Sequence, residues 1–267
     1  MAESDPKIAR TLANLSAALA SGDFYGALQM YRTLVKRKLD AGLLPEACLM
    51  VTQGAGALVA AGHPVEGADL VDLLVKAFEA RGEVLGEASV ARVCGAGAAF
   101  PLASAPACAA IAPVLRAGAR WAASAPLREG GAPGGAGEES DADYAARRGL
   151  AARVHAAAAA ACAGAGADFA ADAQRHFLEA SQPQAFAAFL VDWARAGYGG
   201  EADLFLARAV LQLLVLGRLG EANAVRDGFV AGVEARKEEA GGAAQAAALE
   251  SPLAHFVTFL LLTCEVR

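Results

Sequence analysis

The chain's four histidines and five cysteines are its side chains best suited to metal binding or nucleophilic attack. Their spacing supports neither. His63, His155, His176 and His255 stand far apart, and no two share the spacing that puts two imidazoles on one metal. Cys48, Cys94, Cys108, Cys162 and Cys264 are odd in number and include no CxxC pair. That argues against a disulfide framework or a zinc knuckle and favours buried, reduced thiols. The sequence has no GxxxxGK[ST] loop to cradle phosphate, no HExxH and no GxSxG elbow. Gly54-Ala55-Gly56 and Gly164-Ala165-Gly166 lack the third glycine and the preceding strand of a dinucleotide fingerprint. An unrecognised active site would draw on Asp192, His176 or Cys162, and no spacing unites them. No catalytic residue, metal site or cofactor is expected. Asn14-Leu15-Ser16 fits the glycosylation acceptor pattern but sits inside a helical stretch, so it reads as a chance match.

Charge narrows the partners. The net charge is -6 and the pI about 5.3. Nucleic-acid binders carry a basic face or a high pI, so DNA and RNA are not expected as main partners. The acidic start, Met1-Ala2-Glu3-Ser4-Asp5, is unlike a signal peptide. The most apolar run, Leu204 to Leu216, is broken by Arg208 and too short to cross a bilayer. A cytosolic chain without direct membrane insertion is the expectation. The charge run Lys36-Arg37-Lys38 reads as a solvated face, and Trp121 and Trp193 as core anchors.

Helices must position whatever these residues do. Of the residues 56% are apolar but only 6% aromatic, because alanine supplies about a quarter of the chain. Alanine is the best helix former and a poor strand former. Ile8, Leu12, Leu15 and Leu19 repeat at helical spacing. Breakers then fall at Gly22, Gly42, Gly62 and Gly82, with Asp23 a good N-cap and Pro45 suited to a first turn. A helix plus its turn thus takes 20 residues and an antiparallel pair about 40, the range of helical-pair solenoids. Two more helices fit residues 85 to 123, with a break near Gly95-Ala96-Gly97 and Pro101. Helices resume at Tyr144, with breaks near Gly164, at Gln182-Pro183, at 197–200 and at Gly217. Residues 126–143 read as a flexible loop rich in Gly, Pro and acid, and residues 236–250 as a second low-complexity loop stretch. An apolar helix runs from Pro252 to Cys264. The prediction is an all-α fold: an α-solenoid of stacked antiparallel helix pairs, TPR- or HEAT-like, with about 12 helices. Its domains are predicted at 1–125, the loop 126–143, and 144–267. Solenoids bind macromolecules through extended surfaces, which favours an adaptor over an enzyme. A generic scaffold subunit of another multiprotein complex stands as the alternative.

Several short motifs add a resemblance. Ile8-Ala9-Arg10-Thr11-Leu12, Gly22-Asp23-Phe24-Tyr25 and Gln29-Met30-Tyr31-Arg32-Thr33-Leu34 resemble the start of the Golgi-to-ER traffic protein 4 family. The likeness continues at Gly56-Ala57-Leu58, Ala68-Asp69-Leu70, His176-Phe177-Leu178, Glu201-Ala202-Asp203-Leu204-Phe205 and Ala209-Val210-Leu211-Gln212. It ends at Pro252-Leu253 and Phe259-Leu260-Leu261-Leu262. The resemblance implies a non-enzymatic adaptor for insertion of tail-anchored proteins into the ER membrane. Its N-terminal helices would dock on a targeting ATPase, through Phe24, Tyr25, Arg32, Arg37 and Asp69. Its C-terminal part would hold a ubiquitin-like protein that recruits chaperones, through Phe256, Phe259 and Leu260. A BAG-family scaffold takes part in animals. The chain departs from the family pattern at Gly26 and Leu28, where Glu and His are usual, and at Asp40, where a basic residue is common. The family's C-terminal β-hairpin, which follows the helix at 252–265, is expected to be missing before Arg267. The open end of that helix would then favour aggregation or dependence on a partner.

Overall fold

The structure, a computed structural model, describes residues 14–127 except 16, and 140–265 except 240. Ile8, Leu12, most of the loop at 126–143 and Arg267 lie outside the described residues. All regular structure among the described residues is helical.

The glycine period fixes the turns. Gly22, Gly42, Gly62 and Gly82 all have positive φ, between 62° and 88°, a conformation that costs glycine little. The N–H after each glycine bonds back to the fifth carbonyl before it: Asp23 to Ala18, Leu43 to Lys38, His63 to Leu58 and Glu83 to Phe78, at 2.8–2.9 Å. This Schellman closure satisfies the last carbonyls of each helix and turns the chain sharply. Gly217 repeats the device, with Arg218 bonding to Leu213. Helix α1, described at residues 14–15 and 17–21, ends on the first of these turns. Then come α2 (Phe24–Asp40), α3 (Leu44–Ala60), α4 (Pro64–Arg81), α5 (Glu87–Gly97), α6 (Ala105–Ser124) and α7 (Asp141–Ala165). Pro45 and Pro64 stand in the first turns of α3 and α4, where a missing N–H costs nothing.

Contacts divide the chain into two compact units, residues 1–165 and 166–267. In the first unit each helix from α2 to α5 touches the next helix and the next but one, as stacked antiparallel pairs require. Small residues let these helices approach. A Cβ on Gly54 would lie 2.8 Å from the Tyr31 ring, and one on Gly118 would lie 3.1 Å from Val93. Leu58, Leu70, Leu74 and Phe78 fill the middle of this core. Trp121 is buried there and packs against Phe78, with ring centroids 5.2 Å apart.

The second unit holds α8 (Ala170–Ala180), α9 (Pro183–Ala196), α10 (Ala202–Val215), α11 (Leu219–Ala235), α12 (Gly242–Ala248) and α13 (Pro252–Glu265). A short 3-10 turn, Gly199–Glu201, precedes α10. Here too helices touch at one and two places along the chain. A chain of rings runs through it: Phe186 and Phe189 on Phe177, Phe189 on Trp193, and Trp193 edge-on to Phe205, at 5.1–5.5 Å. Polar links join equivalent places of successive helix pairs. Gln174 bonds Gln212, Ser181 bonds Glu221 and Asn223 bonds Glu265, at separations of 38, 40 and 42 residues. Arg218 is buried and donates to the Leu178 carbonyl 40 residues earlier, and pairs with Glu179 at 2.9 Å.

Two details depart from the sequence reading. Helix α7 starts at Asp141 rather than Tyr144, and Asp141 and Asp143 lie in its first turn, where the helix dipole favours acids. This helix packs on α5 and α6, so it joins the first compact unit rather than the part beyond the loop. The stretch 236–250, read as loop, contains α12, with Gln245, Ala246 and Ala248 buried. Its alanines are helix formers that a low-complexity reading discounts.

Candidate partner-binding surfaces

Helix α2 displays a charged stripe. The Asp23 carboxylate caps it, accepting from the Gly26 N–H at 2.9 Å. Ala27, Leu28, Tyr31, Leu34, Val35 and Leu39 face the core. Tyr25, Gln29, Arg32 and Lys36 follow at steps of four, three and four, so they form one exposed row. Tyr25 is 72% exposed, so it is not packed between helices. Arg37 is exposed too, but its place is about 140° around the axis from Arg32. Phe24 is half-buried and lies against the His63 ring, with centroids 4.0 Å apart. Phe24 thus has one ring contact at the turn into α4.

Helix α4 completes this face. Asp69 is exposed on it, and α4 packs against α2. Lys76 pairs with Asp72 at 2.5 Å. The Asp72 carboxylate, by hydrogen bond and charge, raises the Lys76 ammonium pKa; Asp69 adds to this and Arg32 opposes it. Arg32 and Asp69 thus act on one ammonium, whereas Arg37 takes no part in that group. Sequence reasoning read Lys36 only as part of a solvated run and did not single out Asp72 and Lys76. The signal was present in the i, i+4 pairs Arg32/Lys36 and Asp72/Lys76. Of the departures from the family pattern, Leu28 is buried and Asp40 exposed. Gly26 leaves the space that the Asp23 carboxylate occupies.

Helix α13 displays an apolar face. Ala254, Val257 and Leu261 are buried, while Phe259 is 68% and Phe256 50% exposed. Leu260 is half-buried between the two faces. Ser251 caps the helix through the Ala254 N–H and bonds Asp203 at 2.6 Å, fixing its entry against α10. Among the described residues no single helix is long and apolar enough to cross a membrane; α12 with α13, bent by 53°, passes that test only as a pair. A further apolar groove of about 520 Å³ lies between α8 and α10. Leu178, Leu211, Val215 and Leu216 line it, with Arg175 and Glu179. Sequence reading missed this groove, because it forms between helices distant in sequence.

The candidates for chemistry are otherwise engaged. Asp192 pairs with Arg236, and Cys162 is buried. Burial pushes the Cys48 thiol up to about 11, against the nearby Arg92 guanidinium, and raises Cys94 and Cys108 as well. Such thiols are protonated and poorly nucleophilic. No group of three or more His, Cys, Asp or Glu among the described residues could hold a metal ion.

Stacked helix pairs with one charged and one apolar open face define a helical-repeat protein of solenoid type. The family model for Golgi to ER traffic protein 4 matches residues 42–267. The chain belongs to that family. It is 36% identical over 91 residues to Protein GET4 of Arabidopsis thaliana, covering 34% of this chain and 26% of that protein. It is 34% identical over 95 residues to a Golgi to ER traffic protein 4 homolog of Oryzias latipes, covering 35% and 27%. The matched part spans about a quarter of the length of these curated relatives. A crystal structure of C. therm. Get4 matches with a TM-score of 0.62 at 21% identity, covering 87% of this chain and 68% of that one. At that identity the likeness is one of fold. Of the five residues assigned above to ATPase contact, only Asp69 lies inside the span of the family model.

Proposed function

We propose that this chain is a non-enzymatic adaptor in the cytosol that serves insertion of tail-anchored proteins into the ER membrane. The reading rests on one observation, membership of the Golgi to ER traffic protein 4 family across residues 42–267. In it the first unit faces a targeting ATPase and the second a ubiquitin-like protein, with a BAG-family scaffold as a further partner in animals. The exposed row of Tyr25, Arg32 and Lys36, beside Asp69 and Lys76, supports a charge-steered encounter with the ATPase. Arg37 would contribute long-range attraction from the flank. Phe256, Phe259 and Leu260 on α13 supply an apolar surface for the ubiquitin-like protein. Holding both partners on one chain raises their effective concentration for each other.

Mixing the chain with the ATPase and the ubiquitin-like protein tests this reading. A single ternary peak in size-exclusion chromatography is expected. Binary complexes that exclude one another, or no complex, would sink the bridge.

A further inference from the structure

Helix α12 is held in the second unit with few buried apolar side chains of its own. It has seven residues, Gly-Ala-Ala-Gln-Ala-Ala-Ala, and no side-chain N-cap. A helix this short is not stable by itself and depends on packing. Yet its buried apolar side chains are only Ala246 and Ala248, which remove little apolar area from water. Its largest buried side chain works against burial. Gln245 is 1% exposed, and neither its Oε1 nor its Nε2 has a hydrogen-bond partner. A buried amide without partners loses its hydration and gains nothing in return.

Polar clips on the flanks hold the helix in place. On the N-terminal side Arg236 pairs with Asp192, and Arg195 pairs with Glu239 at 2.7 Å, both reaching to α9. On the C-terminal side Ser251 bonds Asp203 at the start of α10. Both ion pairs are partly exposed, where water and salt weaken them. Between the clips, α12 covers the 3-10 turn Gly199–Glu201 and touches α9, α10 and α11.

We infer that α12 is a strap that opens locally while the helices beneath it stay folded, and that the unpartnered amide of Gln245 sets how loosely it closes. This goes beyond the adaptor reading and does not depend on it. Local openings of this kind occur where few apolar contacts oppose them. Gln245 is a positioning residue here, since it acts through the closure of the helix that carries it.

Hydrogen exchange of the full chain, read by mass spectrometry, tests the inference. Peptides covering 242–248 should exchange at least about a hundredfold faster than those of α9. Gln245→Leu keeps a similar volume and removes both unpartnered atoms, so it should slow exchange in α12 about fivefold or more and leave α9 unchanged. Arg236→Gln should speed exchange in α12 alone. Protection of α12 equal to that of α9 in the unsubstituted chain overturns the inference. So does a Gln245→Leu chain whose α12 exchanges as fast as before, or faster.

Discussion

Helices of both units close over small residues, with Gly228 and Gly232 of α11 tight against Ala187 and Val191 of α9, but the second unit adds a longer chain of rings. Gly54 leaves no room for a methyl group between α2 and α3, and Gly118 leaves little between α5 and α6. In the second unit Phe177, Phe189, Trp193 and Phe205 form a continuous chain, and Arg218 ties α11 to the end of α8. The difference teaches that one stacking rule can be met in two ways. Close backbone approach gains many small dispersion contacts, and large anchors gain area at a few points. It also places the tolerance to mutation differently. The glycine contacts are sensitive to added atoms and the ring chain to removed ones.

The largest expected effect comes from removal in the second unit. Phe186 is fully buried and stacks on Phe177. Phe186→Ala should cost about 4 kcal/mol in a chemical denaturation series. Addition in the first unit should come next. Gly118→Val should cost about 2 kcal/mol by overpacking Val93 and Val154. Gly149 supplies the control: it lies in α7 with nothing near its missing Cβ. Gly149→Ala should therefore stabilise by about 1 kcal/mol. A Gly118→Val chain as stable as the parent would break the comparison. Arg218→Met should cost about 2 kcal/mol, because the Leu178 carbonyl loses its charged donor.

Two smaller effects sharpen the account of the first unit. Asp23→Ala removes the α2 cap and should cost about 1 kcal/mol, seen as faster exchange at the start of α2. Cys48 gives a pH signature. Its thiol is raised from 9.0 to about 11 in the folded chain. Above pH 9 the unfolded chain releases this proton first, so the folded state binds more protons and loses stability as pH rises towards 11. Below pH 9 the contribution is constant. The stability difference between the parent chain and Cys48→Ala should shift in that direction between pH 8.5 and 10.5. A flat difference would contradict the burial of Cys48.

Much of the fold was legible because its punctuation has a mechanism. Glycines 20 residues apart are legible as turns since only glycine adopts their φ cheaply, and all four took it. Helix α12 was not legible. A run of alanine and glycine carries no periodicity, so neither burial nor the partnerless state of Gln245 could be read from it. The surfaces were legible in part. Exposure of Tyr25, Arg32 and Asp69 follows from their place opposite the apolar stripes of α2 and α4. The engagement of Phe24 by His63 depends on how α2 and α4 meet, which spacing along one helix does not tell. The gathering of Asp69, Asp72, Lys76 and Arg32 has the same cause.

Titration calorimetry of the chain with the targeting ATPase at low ionic strength tests the central claim most directly. Saturable binding is expected, weakened about tenfold by Asp69→Arg or Arg32→Glu and less by Arg37→Glu, with each variant's fold unchanged by circular dichroism. An absence of binding heat at several temperatures, or affinity that none of these charge reversals alters, would contradict it.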